Sequence, residues 1–192
     1  ASFEYLGIDL RVNSLPIIYG EKIVLRILNQ KRQFSLSALE FDEKTKNCLH
    51  KLLKLKNGLI LISGPTGSGK TTTLYSLING LDATSKNIST LENPVEYRLE
   101  GINQVDIGSS KNLGFETCLR ALMRQDPDII LIGEIRDYET AMAAFKAAST
   151  GHLVFSTVHA NGPVEVVDRL LNLGVDQFTI KSNLVFSAAQ RL

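Results

Sequence analysis

A glycine-rich segment that ends in a lysine and a threonine carries the clearest chemistry in the sequence. Residues 64–71 fit the pattern GxxxxGK[ST] at every fixed position. Glycines let a backbone curve inward without a Cβ in the way, so that several N–H groups point at phosphate oxygens. Lys70 would reach the β- and γ-phosphates of a nucleoside triphosphate, and the Thr71 hydroxyl would ligate Mg²⁺. We predict that this glycine-rich loop binds a triphosphate through Gly64, Pro65, Thr66, Gly67, Ser68, Gly69, Lys70 and Thr71, with Thr72 directly after them.

Such a loop needs a buried strand before it and a helix after it. Residues 59–62 form a short apolar run, and residues 70–80 have a helical pattern. The partial positive charge at the N-terminus of that helix would face the same anion. A glycine-rich turn could match the pattern by chance, but the flanking strand and helix favour a phosphate-binding loop.

Hydrolysis would need a group that positions or deprotonates water, and Glu134 is the first candidate. It follows the apolar run 129–132, at the carboxyl end of a predicted central strand, where ligands bind in open α/β sheets. Gly133 occupies the position where an aspartate linked to Mg²⁺ normally lies. The alternative is that Glu134 is a surface carboxylate at a strand end. Asp137 is predicted to cap the helix that follows.

Two further strand ends carry polar candidates. Glu92 follows residues 87–91, the next predicted strand after the loop and its helix; a glutamate before a proline turn is common, so this signal is weak alone. His152 and His159 flank a third apolar strand, with His159 at the carboxyl end and His152 at the amino end. Their separation does not suit a metal site. A polar rim around a buried strand is the alternative for both histidines.

Apolar runs and helical patterns alternate along most of the chain, which predicts an α/β fold with a mainly parallel sheet. Continuous apolar runs at residues 59–62, 129–132 and 153–155 suit strands covered on both faces. Two alternating runs, 8–12 and 22–28, are predicted as strands that cannot form a core alone. Helices are predicted at residues 42–55, 70–80, 116–124, 138–149, 163–173 and 177–191.

The composition is that of a globular protein. The 192 residues are 44% hydrophobic and 21% charged, with a net charge of +1, so neither disorder nor a general attraction to nucleic acid is indicated. No apolar run approaches the roughly 20 residues of a membrane span, and no signal peptide is visible. Cys48 and Cys118 lack disulfide or zinc spacing, so a reducing cytosol is the default. The chain starts without Met and ends inside a predicted helix, so we expect a piece of a longer protein.

Four stretches together resemble one family: GPTGSGKTTTLY, LENPVEY, LMRQDPDIILIGEIRD and TGHLVFSTVHAN. They are similar to the secretion-superfamily ATPases of type II secretion and type IV pilus systems, and the resemblance extends from about residue 9 to residue 192. It implies a RecA-like P-loop NTPase domain at residues 37–192, truncated at its C-terminal end. Residues 1–29 would be the last strands of a truncated, PAS-like N-terminal domain, and residues 30–36 a linker.

The same resemblance implies an activity and its setting. Members hydrolyse ATP with Mg²⁺ as hexameric rings and power pilus assembly or pseudopilin extrusion. We therefore expect a cytoplasmic motor subunit, peripheral at the inner membrane, that contacts an inner-membrane platform protein. A nucleotide-gated ring subunit without turnover, or a DNA-uptake or DNA-translocating motor, is the alternative. The absence of a basic stripe with interleaved aromatic residues counts against direct nucleic-acid contact.

Residue roles carry over from the family position by position. Glu134 matches the catalytic glutamate, Glu92 helps to arrange Mg²⁺ and water, and His159 senses the γ-phosphate. Arg11 and Arg26 match arginines of the preceding domain that approach the nucleotide phosphates; without the resemblance, each would be interpreted as a solvated strand arginine.

One position departs from the family pattern. The family usually has Glu-Asp-Pro where this chain has Glu92-Asn93-Pro94. Asn93 would weaken a charged role toward Mg²⁺ or an arginine, but would substitute well in a turn, which is the interpretation we favour. The N-terminal stretch Arg-Val-Asn-Ser-Leu-Pro and the ending Ala-Gln-Arg-Leu look more like the assembly and secretion branch than the retraction branch.

Overall fold

The computed structural model describes residues 2–5, 8–28, 34–109 and 114–191. The chain divides into two compact units, Ala1–Gln33 with Val95–Arg98, and Phe34–Pro94 with Leu99–Leu192. Residues 30–33 of the predicted linker lie outside the described residues.

The smaller unit contains a three-stranded antiparallel sheet. Its strands are β1 (Ser2–Tyr5), β2 (Ile8–Ile17) and β3 (Gly20–Leu28), in the order β1-β2-β3. The two strands predicted here are confirmed, and both extend to a tight turn at residues 18–19. β1 was not predicted.

The larger unit is built on a six-stranded sheet in which every neighbouring pair is parallel. The strand order is β6-β5-β7-β8-β4-β9. The α/β fold with a mainly parallel sheet is therefore confirmed. The strands are β4 (Gly58–Ser63), β5 (Ile88–Glu92), β6 (Asn103–Asp106), β7 (Ile129–Ile135), β8 (Leu153–Val158) and β9 (Leu184–Ala189).

The central strands are covered on both faces. Consecutive strand residues point to opposite faces, and all six residues of β4 and of β8 are buried. The α-helices in the described ranges are α1 (Glu43–Leu52), α2 (Lys70–Asn79), α3 (Phe115–Leu122), α4 (Tyr138–Ser149), α5 (Glu165–Asn172) and α6 (Gln177–Asn183). None of them has the length and apolar character needed to cross a membrane. Asp137 caps α4, as predicted, by accepting a hydrogen bond from Thr140 N.

The last predicted helix is correct only in its first half. Asp176 caps α6, and hydrogen bonds from the hydroxyl and N–H of Thr179 lower the pKa of Asp176. The helix then ends at Asn183, and the chain continues as β9, which pairs in parallel with β4. The prediction of one helix over residues 177–191 is wrong because the hydrogen bonds that stabilise β9 come from a strand more than 100 residues away. No glycine or proline marks the change.

Candidate functional site

The glycine-rich loop connects β4 to α2, as predicted from its flanking patterns. Gly64 has a φ of 143°, and a Cβ built there would lie 2.3 Å from Gln190 O. Gly69 is the N-cap of α2, with a φ of 83°. Both positions combine a backbone conformation that favours glycine with a close neighbour, so the loop needs glycine there for its shape.

Lys70 holds the start of the loop. Its Nζ donates hydrogen bonds to Gly64 O and Pro65 O, each at 2.9 Å. The side-chain oxygen of Ser68 is buried and has no hydrogen-bond partner in the described part of the chain. An ammonium group, a buried hydroxyl and the N-terminus of a ten-residue helix therefore meet at one curved segment of backbone. These groups fit a phosphate ester, which supplies strong acceptors for each of them.

A magnesium ion would find few protein ligands here. Within the described ranges, no group of three or more His, Cys, Asp or Glu side chains could hold a metal ion. Magnesium commonly keeps several waters and is held by one or two protein groups together with substrate phosphates. The half-buried Thr71 hydroxyl in the first turn of α2 fits that requirement.

Glu134 and His159 lie next to each other. Glu134 belongs to β7, and its Oε1 is 2.7 Å from Nε2 of His159, the residue that directly follows β8. Its other oxygen, Oε2, accepts a hydrogen bond from Arg136 Nε at 2.5 Å. The carboxylate is mostly buried, with 21% of the side chain exposed. Arg136 therefore orients one oxygen of the carboxylate, while Oε1 is buried beside the His159 ring and has no hydrogen-bond partner in the described part of the chain.

The strand order explains why predicted site residues meet at one edge. Because β5, β7, β8 and β4 are parallel neighbours, their carboxyl ends lie side by side. The order along that edge is Glu92, Glu134, His159 and the glycine-rich loop. Gly133 lies beside Glu92: a Cβ built on Gly133 would be 3.5 Å from Glu92 Cα, an ordinary packing distance.

Glu92 is buried, with 5% of its surface exposed. Its Oε1 accepts hydrogen bonds from Thr90 Oγ1 at 2.7 Å and from Gln104 Nε2 at 3.3 Å. Its Oε2 accepts a hydrogen bond from the Tyr75 hydroxyl, which extends from α2. The helix that begins in the glycine-rich loop is thus connected directly to the end of β5.

Replacing Tyr75 by phenylalanine should lower the free energy of unfolding by about 1–3 kcal/mol, measured in urea. Both partners are buried, so the change leaves the Glu92 carboxyl group short of one donor with no water to replace it. Tyr138→Phe is the matched control, since Tyr138 is 47% exposed, and should change stability by less than about 0.5 kcal/mol. Equal stability of the two variants would contradict the structural importance of this hydrogen bond.

The remaining candidates lie elsewhere. His152 is at the amino end of β8, where its Nδ1 lies 3.0 Å from Ala147 O, as expected for a rim residue. Arg11 and Arg26 belong to the smaller unit, where they face each other across β2 and β3. Directly opposed residues share a face, and like charges in that position repel.

Two residues of the larger unit were not predicted. Tyr75 was assigned only to the helix after the loop, and nothing in its spacing indicates a hydrogen bond to Glu92. Gln190 was placed in a helix, although it directly follows β9 and contacts the loop. The only available signal for Gln190 was the β-branched and aromatic character of Val185 and Phe186, which is weak evidence for a strand.

The fold and the site define an α/β protein whose parallel sheet presents a glycine-rich loop, a carboxylate and a histidine at its carboxyl edge. Ligand binding at this edge is typical of such sheets. A family profile described as "Type II/IV secretion system protein" matches residues 3–192. The chain belongs to the type II/IV secretion system protein family.

Two curated relatives are similar over 187 residues, or 97% of this chain. The chain is 51% identical to the type IV pilus assembly ATPase PilB of Pseudomonas aeruginosa and 48% identical to a putative type II secretion system protein E of Escherichia coli K12. It spans 33% and 38% of their respective lengths.

Solved structures agree with the fold. A crystal structure of the pilus retraction motor PilT with bound ADP matches all of this chain and 58% of its own, with a TM-score of 0.85 and 34% identity. The ATPase DotB of Legionella pneumophila also matches the whole chain and 57% of its own, with a TM-score of 0.81 and 25% identity.

Proposed function

We propose that this chain is the catalytic part of a Mg²⁺-dependent ATPase. The ATPase would power either type IV pilus assembly or type II secretion, the latter through pseudopilin extrusion. The observation that carries the proposal is the Glu134–His159 pair. Glu134 lies on β7 and His159 directly follows β8, which pairs with β4, the strand that enters the glycine-rich loop. A carboxylate in that place can act on water beside the phosphates that the loop would hold. Membership of the family and the names of its relatives support the same activity.

The glycine-rich loop would bind the triphosphate of ATP. Backbone N–H groups of Gly64 and residues 66–69 would hold phosphate oxygens, and Lys70 would exchange its bonds to loop carbonyls for stronger ones to phosphate. Thr71 would hold Mg²⁺, and Thr72 would add a further donor in the first turn of α2. Magnesium, when bound, would neutralise charge on the phosphate oxygens.

Glu134 would orient the attacking water and accept its proton. The hydrogen bond from Arg136 would favour this orientation of the carboxylate before substrate binds. His159 would contact the γ-phosphate while remaining beside Glu134, so the presence of that phosphate would be communicated to the carboxylate.

Glu92 would act on the magnesium site less directly. Its carboxyl group accepts hydrogen bonds from Tyr75, Thr90 and Gln104 inside the protein. We propose that it arranges water around the ion and keeps the end of β5 in place. Asn93 would then serve as a turn residue rather than as a charged group.

Arg11 and Arg26 are proposed to bind phosphate as well. Their opposed positions on β2 and β3 place two guanidinium groups on one face of the sheet, where an anion would relieve their repulsion. Their resemblance to the family's phosphate-contacting arginines is the reason to assign that anion to the nucleotide.

The proposed setting follows the family. Residues 1–29 would be the remnant of a PAS-like domain, residues 30–36 a linker, and residues 37–192 a truncated RecA-like motor domain. The intact protein would assemble as a hexameric ring at the cytoplasmic face of the inner membrane. Its partner there would be a membrane platform protein. The motor itself would make no direct contact with nucleic acid.

Steady-state phosphate release by the intact protein tests the proposal. Turnover is expected with ATP and Mg²⁺ and should stop when EDTA removes the ion. Tight ATP binding without turnover would instead indicate a nucleotide-gated ring subunit. Salt-sensitive binding to single-stranded DNA, with turnover stimulated by it, would indicate a DNA motor.

A further inference from the structure

Gln190 lies beside the glycine-rich loop although it is 120 residues after Lys70. It is the first residue after β9, just as Gly64 is the first residue after β4, and the two strands pair in parallel. Gln190 N donates to Ser63 O at 2.8 Å. Its own carbonyl oxygen fills the space where a Cβ on Gly64 would lie. The backbone of Gln190 therefore fixes the beginning of the loop.

The side chain of Gln190 reaches the other end of the loop. Thr73 Oγ1 donates to Gln190 Oε1 at 2.8 Å. The amide nitrogen is then directed at Gly69, where a Cβ would lie 2.9 Å from it. Thr73 N in turn donates to Gly69 O at 2.9 Å. One residue thus contacts both ends of the loop and the first turn of α2.

The residues enclosed by these contacts are the proposed phosphate and magnesium ligands. Lys70, Thr71 and Thr72 lie between Gly69 and Thr73, so their directions depend on how these two residues are held. A glycine-rich segment loses much conformational entropy on ordering, so the free energy of binding is reduced if the loop takes up its shape only when the nucleotide binds. Contacts that impose the shape beforehand raise affinity by removing that cost.

We propose that Gln190 is a positioning residue that holds the glycine-rich loop in its nucleotide-binding shape. It acts through Thr73 and Gly69 and takes no part in the chemical step. The proposal rests on the proposed function, because it assumes that the loop binds ATP. β9, which forms the edge of the sheet, becomes a functional part of the site through this residue.

The test is nucleotide affinity of Gln190→Ala in the intact protein, measured by titration of fluorescent ATP and ADP analogues. Loss of one hydrogen bond and of the side-chain contact should lower the affinity for both analogues by about fivefold to tenfold. The kcat at saturating ATP should stay within about twofold of the wild-type value, because the chemical step does not use this side chain. Gln177→Ala, at an exposed glutamine in α6, is the matched control and should bind like the wild type.

Two further variants separate positioning from simple support of the fold. Thr73→Val replaces the hydroxyl by a methyl group. The double variant should bind nucleotide no more weakly than Gln190→Ala alone, since Gln190→Ala already removes the hydrogen bond that Thr73→Val loses. Gln190→Glu keeps the acceptor for Thr73 but adds a negative charge beside Gly69. Gln190→Glu should weaken ATP binding more than Gln190→Ala does, and this loss of affinity should become smaller as salt is added.

The outcomes distinguish this proposal from the proposed function. Unchanged affinity in a folded Gln190→Ala protein overturns the positioning role, provided that Lys70→Ala loses affinity in parallel. Lower thermal stability with unchanged affinity also overturns it. Failure of the wild type to bind either analogue would instead contradict the proposed function itself.

Discussion

Replacing Lys70 by alanine is expected to lower the affinity of the intact protein for ATP by about 100-fold. The ammonium group is the only lysine nitrogen in the glycine-rich loop, and it already donates two hydrogen bonds to loop carbonyls at 2.9 Å. The variant would lose the positive charge that faces the phosphates together with the bonds that hold Gly64 and Pro65. Anisotropy of a fluorescent ATP analogue measures the change.

Lys54→Ala provides the control for the loss of a lysine. Lys54 is exposed just after α1, outside the site, and its removal should change affinity by less than about twofold. If the Lys70 and Lys54 variants bind ATP equally well, the loop is not the triphosphate site, whatever its sequence pattern. A melting curve of each variant without nucleotide shows whether the fold is retained.

The sequence predicted the centre of the sheet better than its edges. Strands β4, β7 and β8 are buried on both faces, so they appear as continuous apolar runs that need no knowledge of the partner strands. β6 has the sequence Asn-Gln-Val-Asp and lies at one edge, where a polar strand is stable only because β5 supplies its hydrogen bonds. β9 lies at the other edge and is mostly apolar; it was interpreted as helix because its partner β4 lies more than 100 residues earlier in the chain.

The site was predictable to the extent that local pattern determines it. The glycine-rich loop is a contiguous motif, so its position followed directly from residues 64–71. The contact between Glu134 and His159 depends on β7 and β8 being neighbours, which requires the strand order. The contacts of Gln190 depend on the pairing of β4 with β9, which are far apart in the sequence, and no local sequence pattern predicts that pairing.

Replacing Glu134 by glutamine is expected to reduce steady-state ATP turnover by at least about 100-fold while leaving ATP affinity within about threefold. The amide has the same shape and keeps one oxygen that can accept the hydrogen bond from Arg136. It cannot accept a proton from water. Phosphate release and analogue binding, measured on the same preparation of intact protein, give the two quantities.

Glu139→Gln makes the same chemical change five residues further along the chain, at an exposed position in the first turn of α4, and should retain turnover within about twofold. The combination of lost turnover and retained binding matters most, because it assigns the carboxylate to the chemical step. An equal loss of both would mean that Glu134 serves binding only. Full turnover in Glu134→Gln would require another base, and Glu92 is poorly suited, since its buried oxygens already accept hydrogen bonds from Tyr75, Thr90 and Gln104.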